Sequence, residues 1–335
     1  MSDEDCDRVS RVHTLLEQEI IARYFSRHSA GGNVEIGIGD DAAVVSPPDG
    51  SKLVMTVDTL NEGVHFRPGC APEDLGHKAL AVNLSDLAAM GATPLWATLS
   101  LSLPDIEHAW LEGFSRGLFS LADRYGMKII GGDLVRGARS ISIQATGYLK
   151  SACAMTRAHA RAGDSIYVSG TLGDAALYLE LSRDTEHRTV PKPDLDYLAQ
   201  RLNRPQPRVE VGQEIVAFAS AAIDLSDGLV LDVRRILQGS GVGARIDLEQ
   251  IPLSDAMQRQ RHDAKGWDQV LAGGEDYELV FTASPERSGE IDTVRERTGC
   301  PITRIGEITP GDTLELFEAG HRYPLPGRPG FDHFA

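Results

Sequence analysis

Cysteine is scarce in this sequence, and the cysteines that occur form no pair. Four cysteines are spread over 335 residues without a Cys-x-x-Cys motif: Cys6, Cys70, Cys153 and Cys300. This spacing argues against a metal or redox site built from a Cys-x-x-Cys pair, and it favours reduced thiols over disulfides. We therefore expect a cytoplasmic protein.

Segments for export or for crossing a membrane are also lacking. The first residues are acidic and contain no apolar stretch of the kind found in signal peptides. The most apolar region, Ala79–Leu103, is interrupted by Asn83, Asp86 and Pro94, which argues against a membrane span. The sequence therefore predicts no membrane partner.

Glycine-rich phosphate-binding loops are missing as well. The chain contains no Gly-Lys dipeptide, so a P-loop is excluded. Gly239–Gly243 is rich in glycine, but it follows a predicted helix and precedes a predicted strand, the reverse of a dinucleotide-binding fingerprint. If a nucleotide binds, its phosphates must be held by metal ions on carboxylates.

Positive charge is in deficit: 33 lysines and arginines face 49 aspartates and glutamates, and the net charge is −16. Such a chain repels nucleic acids and anionic membranes, so we expect neither as a partner. A hydrophobic content of 41% and a charged content of 24% are typical of a globular protein. A chain of this length favours two domains.

Helical and strand-like segments alternate along the chain. Pro72–Gly91 is a predicted helix, and Met127–Ile130, Ser140–Leu149 and Tyr277–Thr282 are among the predicted strands. The alternation becomes less regular around Lys150–Arg161. We therefore predict two domains, residues 1–150 and 151–335. Long helices beside hairpin-like strands predict an α/β (α+β) fold with mixed sheets flanked by helices.

Aspartates recur beside apolar segments, at predicted turns and strand ends and inside one predicted helix: Asp41, Asp58, Asp86, Asp133, Asp224 and Asp227. Carboxylates in such places are costly unless a cation neutralises them. Mg²⁺ binds carboxylates, water and phosphate oxygens. With Thr56 as an added oxygen, the set is interpreted as the ligands of two or more metal ions that hold a polyphosphate.

Simpler explanations exist for most members of this set. Asp40 and Asp41 can form a turn, and Ser226 or Asp227 can cap the following helix. Asp86 has neither explanation, because it lies inside a predicted helix. The metal interpretation therefore depends on the group rather than on any single residue.

Three further residues are candidates for binding. Tyr277 and Phe281 share one face of a predicted strand, which we expect to be the buried face. Glu275 precedes Tyr277 by two residues, so strand alternation would place its side chain on the same face, at the edge of the buried region. His65 lies in a predicted loop and can be an ordinary packed histidine. Arg157 can clamp a phosphate or lie at the surface.

Seven motifs, in this order, resemble the thiamine-monophosphate kinase family over nearly the whole chain: Gly-Ile-Gly-Asp-Asp-Ala (37–42), Val-Asp-Thr-Leu (57–60), Lys-Ala-Leu-Ala-Val-Asn-Leu-Ser-Asp-Leu-Ala-Ala-Met-Gly (78–91), Gly-Gly-Asp (131–133), Ile-Asp-Leu-Ser-Asp-Gly-Leu (223–229), Gly-Gly-Glu-Asp-Tyr-Glu-Leu (273–279) and Gly-Phe-Asp-His-Phe (330–334). This family belongs to the aminoimidazole-ribonucleotide-synthetase-like superfamily. The resemblance implies a homodimer in which an N-terminal α/β domain dimerises and binds Mg²⁺ and ATP, while a C-terminal α/β domain completes the site.

The resemblance also implies roles for particular residues. The implied Mg²⁺ ligands are Asp41, Thr56, Val57 through its backbone carbonyl, Asp58, Asp86, Asp133, Asp224 and Asp227. The implied ATP contacts are Gly132, Asp133, Arg157 and Ser226. The implied substrate contacts are His65 and Glu275. Where the family can have a tryptophan against the substrate, this chain has Arg328, and Phe331 is the nearest aromatic substitute.

The implied reaction is phosphorylation of thiamine monophosphate by ATP. The second pKa of a phosphate monoester is about 6, so the acceptor is largely dianionic at neutral pH, and we assign no general base. Two alternatives stay open at the level of sequence. One is another ATP-using enzyme of the superfamily, such as a purine-pathway or selenophosphate synthetase. The other is a non-enzymatic metal- or nucleotide-binding protein.

Overall fold

The computed structural model describes residues 16–27, 31–150, 154–183, 190–260, 267–331 and 333. Two mixed sheets flanked by helices make up most of the structure, as predicted, and a small two-stranded antiparallel sheet lies near the N-terminus. The elements of the first half are α1 (Glu17–Tyr24), β1 (Val34–Ile36), β2 (Val44–Val45), β3 (Lys52–Asn61), α2 (Pro72–Ala89), β4 (Thr93–Leu103), α3 (His108–Arg124), β5 (Lys128–Arg136) and β6 (Ser140–Leu149).

The elements of the second half alternate in the same way. They are β7 (Ser165–Ser169), α4 (Asp174–Leu181), α5 (Lys192–Asn203), α6 (Val209–Ile215), β8 (Ala221–Asp224), α7 (Leu229–Ser240), β9 (Gly243–Asp247), α8 (Asp255–Gln260), α9 (Asp268–Ala272), β10 (Leu279–Ala283), α10 (Ser288–Thr298), β11 (Ile302–Thr309), β12 (Leu314–Glu318) and β13 (His321–Tyr323).

The N-terminal sheet has the strand order β3-β6-β4-β5. β6 runs antiparallel to both of its neighbours, and β4 and β5 are parallel. Helices α2 and α3 contact this sheet. The outer face of β3 carries exposed apolar side chains at Leu53, Met55 and Val57. Thr56 and Asp58, which alternate with them, point to the other face.

Helices α2 and α3 approach each other closely because each contributes a glycine at the contact. A Cβ atom at Gly76 would lie 2.0 Å from the carbonyl oxygen of Phe114, and one at Gly117 would lie 1.9 Å from that of Glu73. Side chains are therefore excluded at both positions. This close contact fixes α2, the helix that carries Lys78, Asn83 and Asp86, against the rest of the N-terminal half.

The C-terminal sheet has seven strands in the order β13-β12-β9-β11-β7-β10-β8. Its central strands β7 and β10 are buried along their whole length, because both of their faces carry apolar side chains that pack into a core. Ile166 and Val168 point to one face, into a core shared with α4, α5, α7 and α9. Tyr167 points to the other face and stacks on Phe281, with ring centroids 5.4 Å apart.

The face of the C-terminal sheet that carries Tyr167 and Phe281 belongs to the same hydrophobic core as the N-terminal half. This core also contains Leu80 and Leu84 of α2, together with Ile215 of α6. The two halves of the chain are therefore packed together through a continuous apolar interior, and α2 lies within it.

Several strand bounds differ from the prediction, and two of these differences concern the residues of the candidate site. β5 was predicted to end at Ile130, but it continues through Gly131, Gly132 and Asp133 to Arg136. β10 was predicted to begin at Tyr277, but it begins at Leu279. The predicted strand parity of Glu275 is therefore wrong, because Glu275 and Tyr277 have left-handed backbone conformations with φ of 73° and 50°.

Two of the cysteines, Cys70 and Cys300, are free thiols, and the other two lie outside the described residues. Within the described part of the chain, none of the helices has both the length and the apolar character needed to cross a bilayer.

Candidate functional site

Four of the predicted aspartates meet where the two halves of the chain join. Asp58 comes from β3, Asp86 from α2, Asp224 from the end of β8 and Asp227 from the loop that follows β8. Burial raises the pKa of Asp58 to about 6, and the charges of Asp86 and Asp227 add to this effect. The aspartates are therefore close enough to repel one another, and we call them the carboxylate cluster.

Hydroxyl groups hold two of these carboxylates in place. Thr56 donates a hydrogen bond from its Oγ1 to Oδ2 of Asp86. Ser85 donates from its Oγ to Oδ2 of Asp224 over 2.8 Å, in a fully buried position. Burial, followed by the negative charge of Asp86, raises the pKa of Asp224 well above its usual range. The cluster thus carries more negative charge than its own hydrogen bonds compensate.

Positive groups reach only part of the cluster. Arg235 pairs with Asp227, with 2.7 Å between Nη2 and Oδ2. Arg157 lowers the pKa of Asp86, although burial raises it more strongly. The predicted ATP contact Arg157 therefore lies beside a predicted metal ligand.

The alternative that Asp227 caps a helix does not apply here. The N-terminus of α7 is instead capped from within, because Oδ2 of Asp232 accepts hydrogen bonds from the backbone N–H groups of Asp227 and Gly228, each over 3.1 Å. The side chain of Asp227 is left to pair with Arg235 and to face the cluster.

Glu275 lies next to the carboxylate cluster and pairs with Lys78. Its backbone N–H donates to the carbonyl oxygen of Ser226 over 2.9 Å, which joins its loop to the loop after β8. Its carboxylate forms an ion pair with the ammonium group of Lys78 on α2. A left-handed conformation at a residue other than glycine is strained and is typical of functional loops.

His65 and the C-terminal segment complete this side of the site. The ring of His65 lies 5.1 Å from that of His333, and the ring of Phe331 lies edge-on to His333 at 4.8 Å. The backbone N–H of Phe331 donates to the carbonyl oxygen of Asp227 over 3.0 Å. Burial and the neighbouring His333 lower the pKa of His65, so the neutral imidazole is favoured.

The remaining predicted ligands line a separate open cleft of about 1020 Å³: Asp41, Gly132 and Asp133. A Cβ atom at Gly132 would lie 1.8 Å from the carbonyl oxygen of Leu99, so a side chain is excluded there. Asp40 forms the turn, as the simpler explanation expected, because its Oδ1 accepts from the N–H of Asp41 over 2.8 Å.

Two further predicted positions, Val57 and Arg328, also lie outside the carboxylate cluster. The side chain of Val57 points to the opposite face of β3 and is 63% exposed, so only its backbone is available as a ligand. Arg328 is exposed in the loop after β13. Of the two C-terminal candidates, Phe331 is the one that contacts the loop of Asp227.

The residues fit a divalent cation in their chemistry. Among the described residues, no group of three or more His, Cys, Asp and Glu side chains is already arranged around a single point as a metal site. Yet Asp58 and Asp86 are half-buried and Asp224 is buried, and burial raises the pKa of all three carboxyl groups. A site that is rich in oxygen atoms and whose negative charge is only partly neutralised suits Mg²⁺. This ion uses few carboxylates and completes its coordination shell with water and phosphate oxygens.

Lys78 is the main residue that the sequence interpretation left without a role. Its only signal is a lone lysine in an apolar run, Ala-Leu-Ala-Val, on a helix that the structure buries on nearly all sides. A lysine 4% exposed needs a partner, and the sequence does not say which acid supplies it. His333 was quoted within a motif but was not assigned either.

The two halves of the chain match two family models. Residues 39–149 match "AIR synthase related protein, N-terminal domain", and residues 161–318 match "AIR synthase related protein, C-terminal domain".

Curated and solved relatives agree with these matches. Thiamine-monophosphate kinase of Escherichia coli (strain K12) is 46% identical over 321 residues, covering 95% of this chain and 98% of the relative. The crystal structure of thiamine-monophosphate kinase from Stenotrophomonas maltophilia K279a has a TM-score of 0.81 at 42% identity, covering 91% of this chain and 96% of the other. A solved structure described as "AaThiL complexed with AMPPCP and TMP" has a TM-score of 0.74 at 36% identity, covering 89% and 92%. The chain therefore belongs to the thiamine-monophosphate kinase family.

Proposed function

We propose that this protein transfers the γ-phosphoryl group of ATP to thiamine monophosphate, forming thiamine diphosphate and ADP, as a step in thiamine diphosphate biosynthesis. One observation carries the proposal: the carboxylate cluster lies directly beside the Lys78–Glu275 pair, His65 and Phe331. A metal-phosphate site is thus adjacent to groups suited to an organic cation. The relative solved with an ATP analogue and TMP supports the same pair of substrates.

The proposed roles follow from charge. Glu275 and the face of Phe331 would bind the thiazolium cation, and His65 would border it. Gly132, Asp133, Arg157 and Ser226 would contact ATP. Asp41, Thr56, Asp58, Asp86, Asp133, Asp224 and Asp227, with the Val57 carbonyl, would hold several Mg²⁺ ions. When bound, these ions would neutralise the phosphate oxygens and offset the repulsion between the two anionic substrates.

The transfer is proposed to be direct and in line, without a general base and without a phosphorylated enzyme. The acceptor oxygen already carries charge near neutral pH, since the second pKa of a phosphate monoester is about 6. Positioning and charge compensation are then the main tasks of the protein. Incubation with γ-³²P-ATP alone should leave the denatured protein unlabelled, and a trapped phosphoenzyme would contradict direct transfer.

The proposed activity is tested by ADP release from ATP with and without thiamine monophosphate, with the products identified by chromatography. Thiamine diphosphate should form only when ATP, Mg²⁺, acceptor and protein are all present. ATP binding without acceptor-dependent ADP release would show that the acceptor is wrong.

Glu275→Ala is expected to raise the KM for thiamine monophosphate about tenfold or more and to change the KM for ATP much less. The reason is that a partly buried carboxylate facing a cation contributes on the order of 1–2 kcal/mol to binding. Steady-state kinetics with each substrate varied in turn would measure both constants. Equal effects on the two KM values would remove Glu275 from the acceptor site.

The protein is also proposed to be a cytoplasmic homodimer, with residues 1–150 forming the dimer and binding Mg-ATP, and residues 151–335 completing the substrate site. The exposed apolar face of β3 supports this, because a contiguous apolar surface favours an interface. Met55→Asp should therefore yield a monomer in size-exclusion chromatography with light scattering. Leu195→Asp, on the exposed side of α5, is the matched control and should stay dimeric; a dimeric Met55→Asp protein would place the interface elsewhere.

A further inference from the structure

A second cavity lies in the C-terminal half, away from the carboxylate cluster. Its volume is about 270 Å³, and its wall contains three arginines with Tyr197, Gln200 and Gln206. Among the residues that the structure describes, no carboxylate lines it, although the chain has a net charge of −16. We call it the arginine pocket. None of the residues assigned to the proposed active site lines it.

The first two arginines, Arg201 and Arg208, are held from behind by one buried carboxylate. Arg208 makes two hydrogen bonds to Glu278, each 2.6 Å long. Arg201 donates from Nη2 to Oε1 of the same carboxylate over 2.9 Å. Glu278 is completely buried, and its neighbouring guanidinium groups hold its pKa below the usual range despite that burial. Asp174 also lies behind the wall, 3.5 Å from Nε of Arg201.

The third arginine, Arg204, is fixed from the side. Its Nη1 donates to Oδ1 of Asp74 over 3.1 Å and approaches Oε1 of Glu73 at 3.4 Å, both on α2. Its side chain is 31% exposed, more than that of Arg201 or Arg208. The guanidinium groups are thus pre-positioned by carboxylates that do not themselves enter the cavity.

Hydrogen-bond donors remain for a ligand. Within the described part of the chain, Nη2 of Arg201 donates to the carbonyl oxygen of Thr171 and to Glu278, and Nε of Arg201 lies 3.5 Å from Asp174. Nη1 of Arg204 donates to Asp74. The other terminal nitrogens of these two arginines are available, and Nη1 of Arg208 has only a long contact of 3.5 Å to Oε1 of Gln206. Guanidinium groups present planar, bidentate donors that match the oxygens of a phosphate.

From this geometry we propose that the arginine pocket binds a small tetrahedral dianion of the phosphate class, represented by inorganic phosphate. Three positioned guanidinium groups and two amides supply donors, and no carboxylate among the described residues forms part of the wall. The volume admits a small ion rather than a nucleotide. The site is separate from the proposed ATP and substrate contacts, so its occupancy does not depend on the kinase reaction.

The test measures binding of inorganic phosphate to the full-length protein by thermal shift, with EDTA present and ionic strength held constant with chloride. Without divalent cations, the acidic cluster offers little attraction to phosphate. The melting temperature should rise with phosphate and saturate, as expected for a ligand that binds the folded state. The double variant Gln200→Glu/Gln206→Glu adds two carboxylates to the wall without removing an arginine, and it should weaken binding about tenfold or more.

Two further variants locate the effect. Gln238→Glu, exposed on α7, adds one carboxylate elsewhere and should bind phosphate as the wild type does. Gln200→Lys adds a cation to the wall and should tighten binding. No saturable rise for the wild type, an undiminished rise for the double glutamate variant, or unchanged affinity in Gln200→Lys would each overturn the proposal, and the arginines would then serve only to neutralise Glu278. Since ATP is absent, none of these outcomes bears on the kinase activity.

Discussion

Asp58→Asn is expected to lower kcat/KM by about 10³-fold or more and, at the same time, to stabilise the metal-free protein at alkaline pH. The loss of activity follows if Asp58 holds Mg²⁺ against the phosphates, because such charge compensation lowers the activation free energy of phosphoryl transfer by several kcal/mol. Each increase of about 1.4 kcal/mol in this barrier lowers the rate tenfold. The gain in stability follows because burial and the neighbouring carboxylates Asp86 and Asp227 disfavour the charged form of Asp58.

The pH dependence has a definite sign. The pKa of Asp58 is raised in the folded protein from 3.8 to about 6. Folding therefore favours the protonated carboxyl group, whose stabilising effect is complete below about pH 4 and is lost as the pH rises through about 6. At pH 8 the charged carboxylate of Asp58 lowers the free energy of unfolding by about 2–3 kcal/mol, and an uncharged amide at this position would avoid that loss. The advantage of Asp58→Asn should accordingly vanish near pH 4.

Thermal unfolding in EDTA at pH 4 to 8 would measure this effect, and the same scans with Mg²⁺ would separate the two roles. Mg²⁺ should stabilise the wild type more than the variant, since a ligand stabilises only the form that binds it. Asp49→Asn, at an exposed position, is the matched control and should change neither stability nor activity. A less stable Asp58→Asn protein at pH 8, or one with wild-type activity, would contradict the assignment.

Lys78→Met is expected to destabilise the protein by about 3 kcal/mol and to raise the KM for thiamine monophosphate. The ammonium group of Lys78 is almost completely buried, and it is the ion-pair partner of Glu275. Removing one partner of a fully buried ion pair leaves the other charge uncompensated and lowers the free energy of unfolding by about 3–5 kcal/mol. The loss is smaller when one partner is partly exposed, as Glu275 is, so we expect the lower end of this range. Urea unfolding and steady-state kinetics would measure the two effects.

A double variant distinguishes packing from function. Lys78→Met/Glu275→Gln removes both charges, so most of the lost stability should return, whereas affinity for thiamine monophosphate should not. Lys192→Met removes the lysine of an exposed ion pair with Asp196 and should change stability little. If the double variant regained the KM of the wild type, Glu275 would have no part in binding the acceptor.

Much of the fold was predictable because apolar periodicity reports which side of an element is buried. The bounds predicted for the strand Ser140–Leu149 were the observed ones, since its alternation is regular over ten residues. The helix over Pro72–Gly91 was predicted within two residues of its observed end, because a proline starts it and a glycine follows it.

Errors arose where the tertiary structure overrode local signals. Glycines normally end a strand, yet Gly131 and Gly132 lie inside β5, paired with Thr98 and Leu99 of the parallel neighbour β4. Extrapolating strand parity to Glu275 failed because left-handed residues interrupt the pattern, and no local propensity predicts such conformations outside glycine.

The sequence selected residues that the fold brings together, but not how the whole set is grouped, and the roles of these residues stay predictions. Motif resemblance selected Asp58, Asp86, Asp224 and Glu275, which the fold brings together. The separate placement of Asp41 and Asp133 in another cleft depends on how loops and sheet edges pack, and the sequence carries no signal for that. Lys78 was missed because its partner Glu275 lies 197 positions away in the sequence, and only the folded chain brings the two side chains together.

The continuous core that joins the two sheets has a further consequence for how this chain can vary. Asp58 and Asp86 are held by one side of that core, and Asp224 and Asp227 by the other, so the spacing between the carboxylates is set by apolar contacts such as those of Leu84 and Phe281. Substitutions of these interior side chains during evolution would change the distances between the carboxylates without replacing any of the aspartates. The geometry of the candidate site therefore depends on the packing of the core. The two halves of the chain must evolve together, although each matches its own family model.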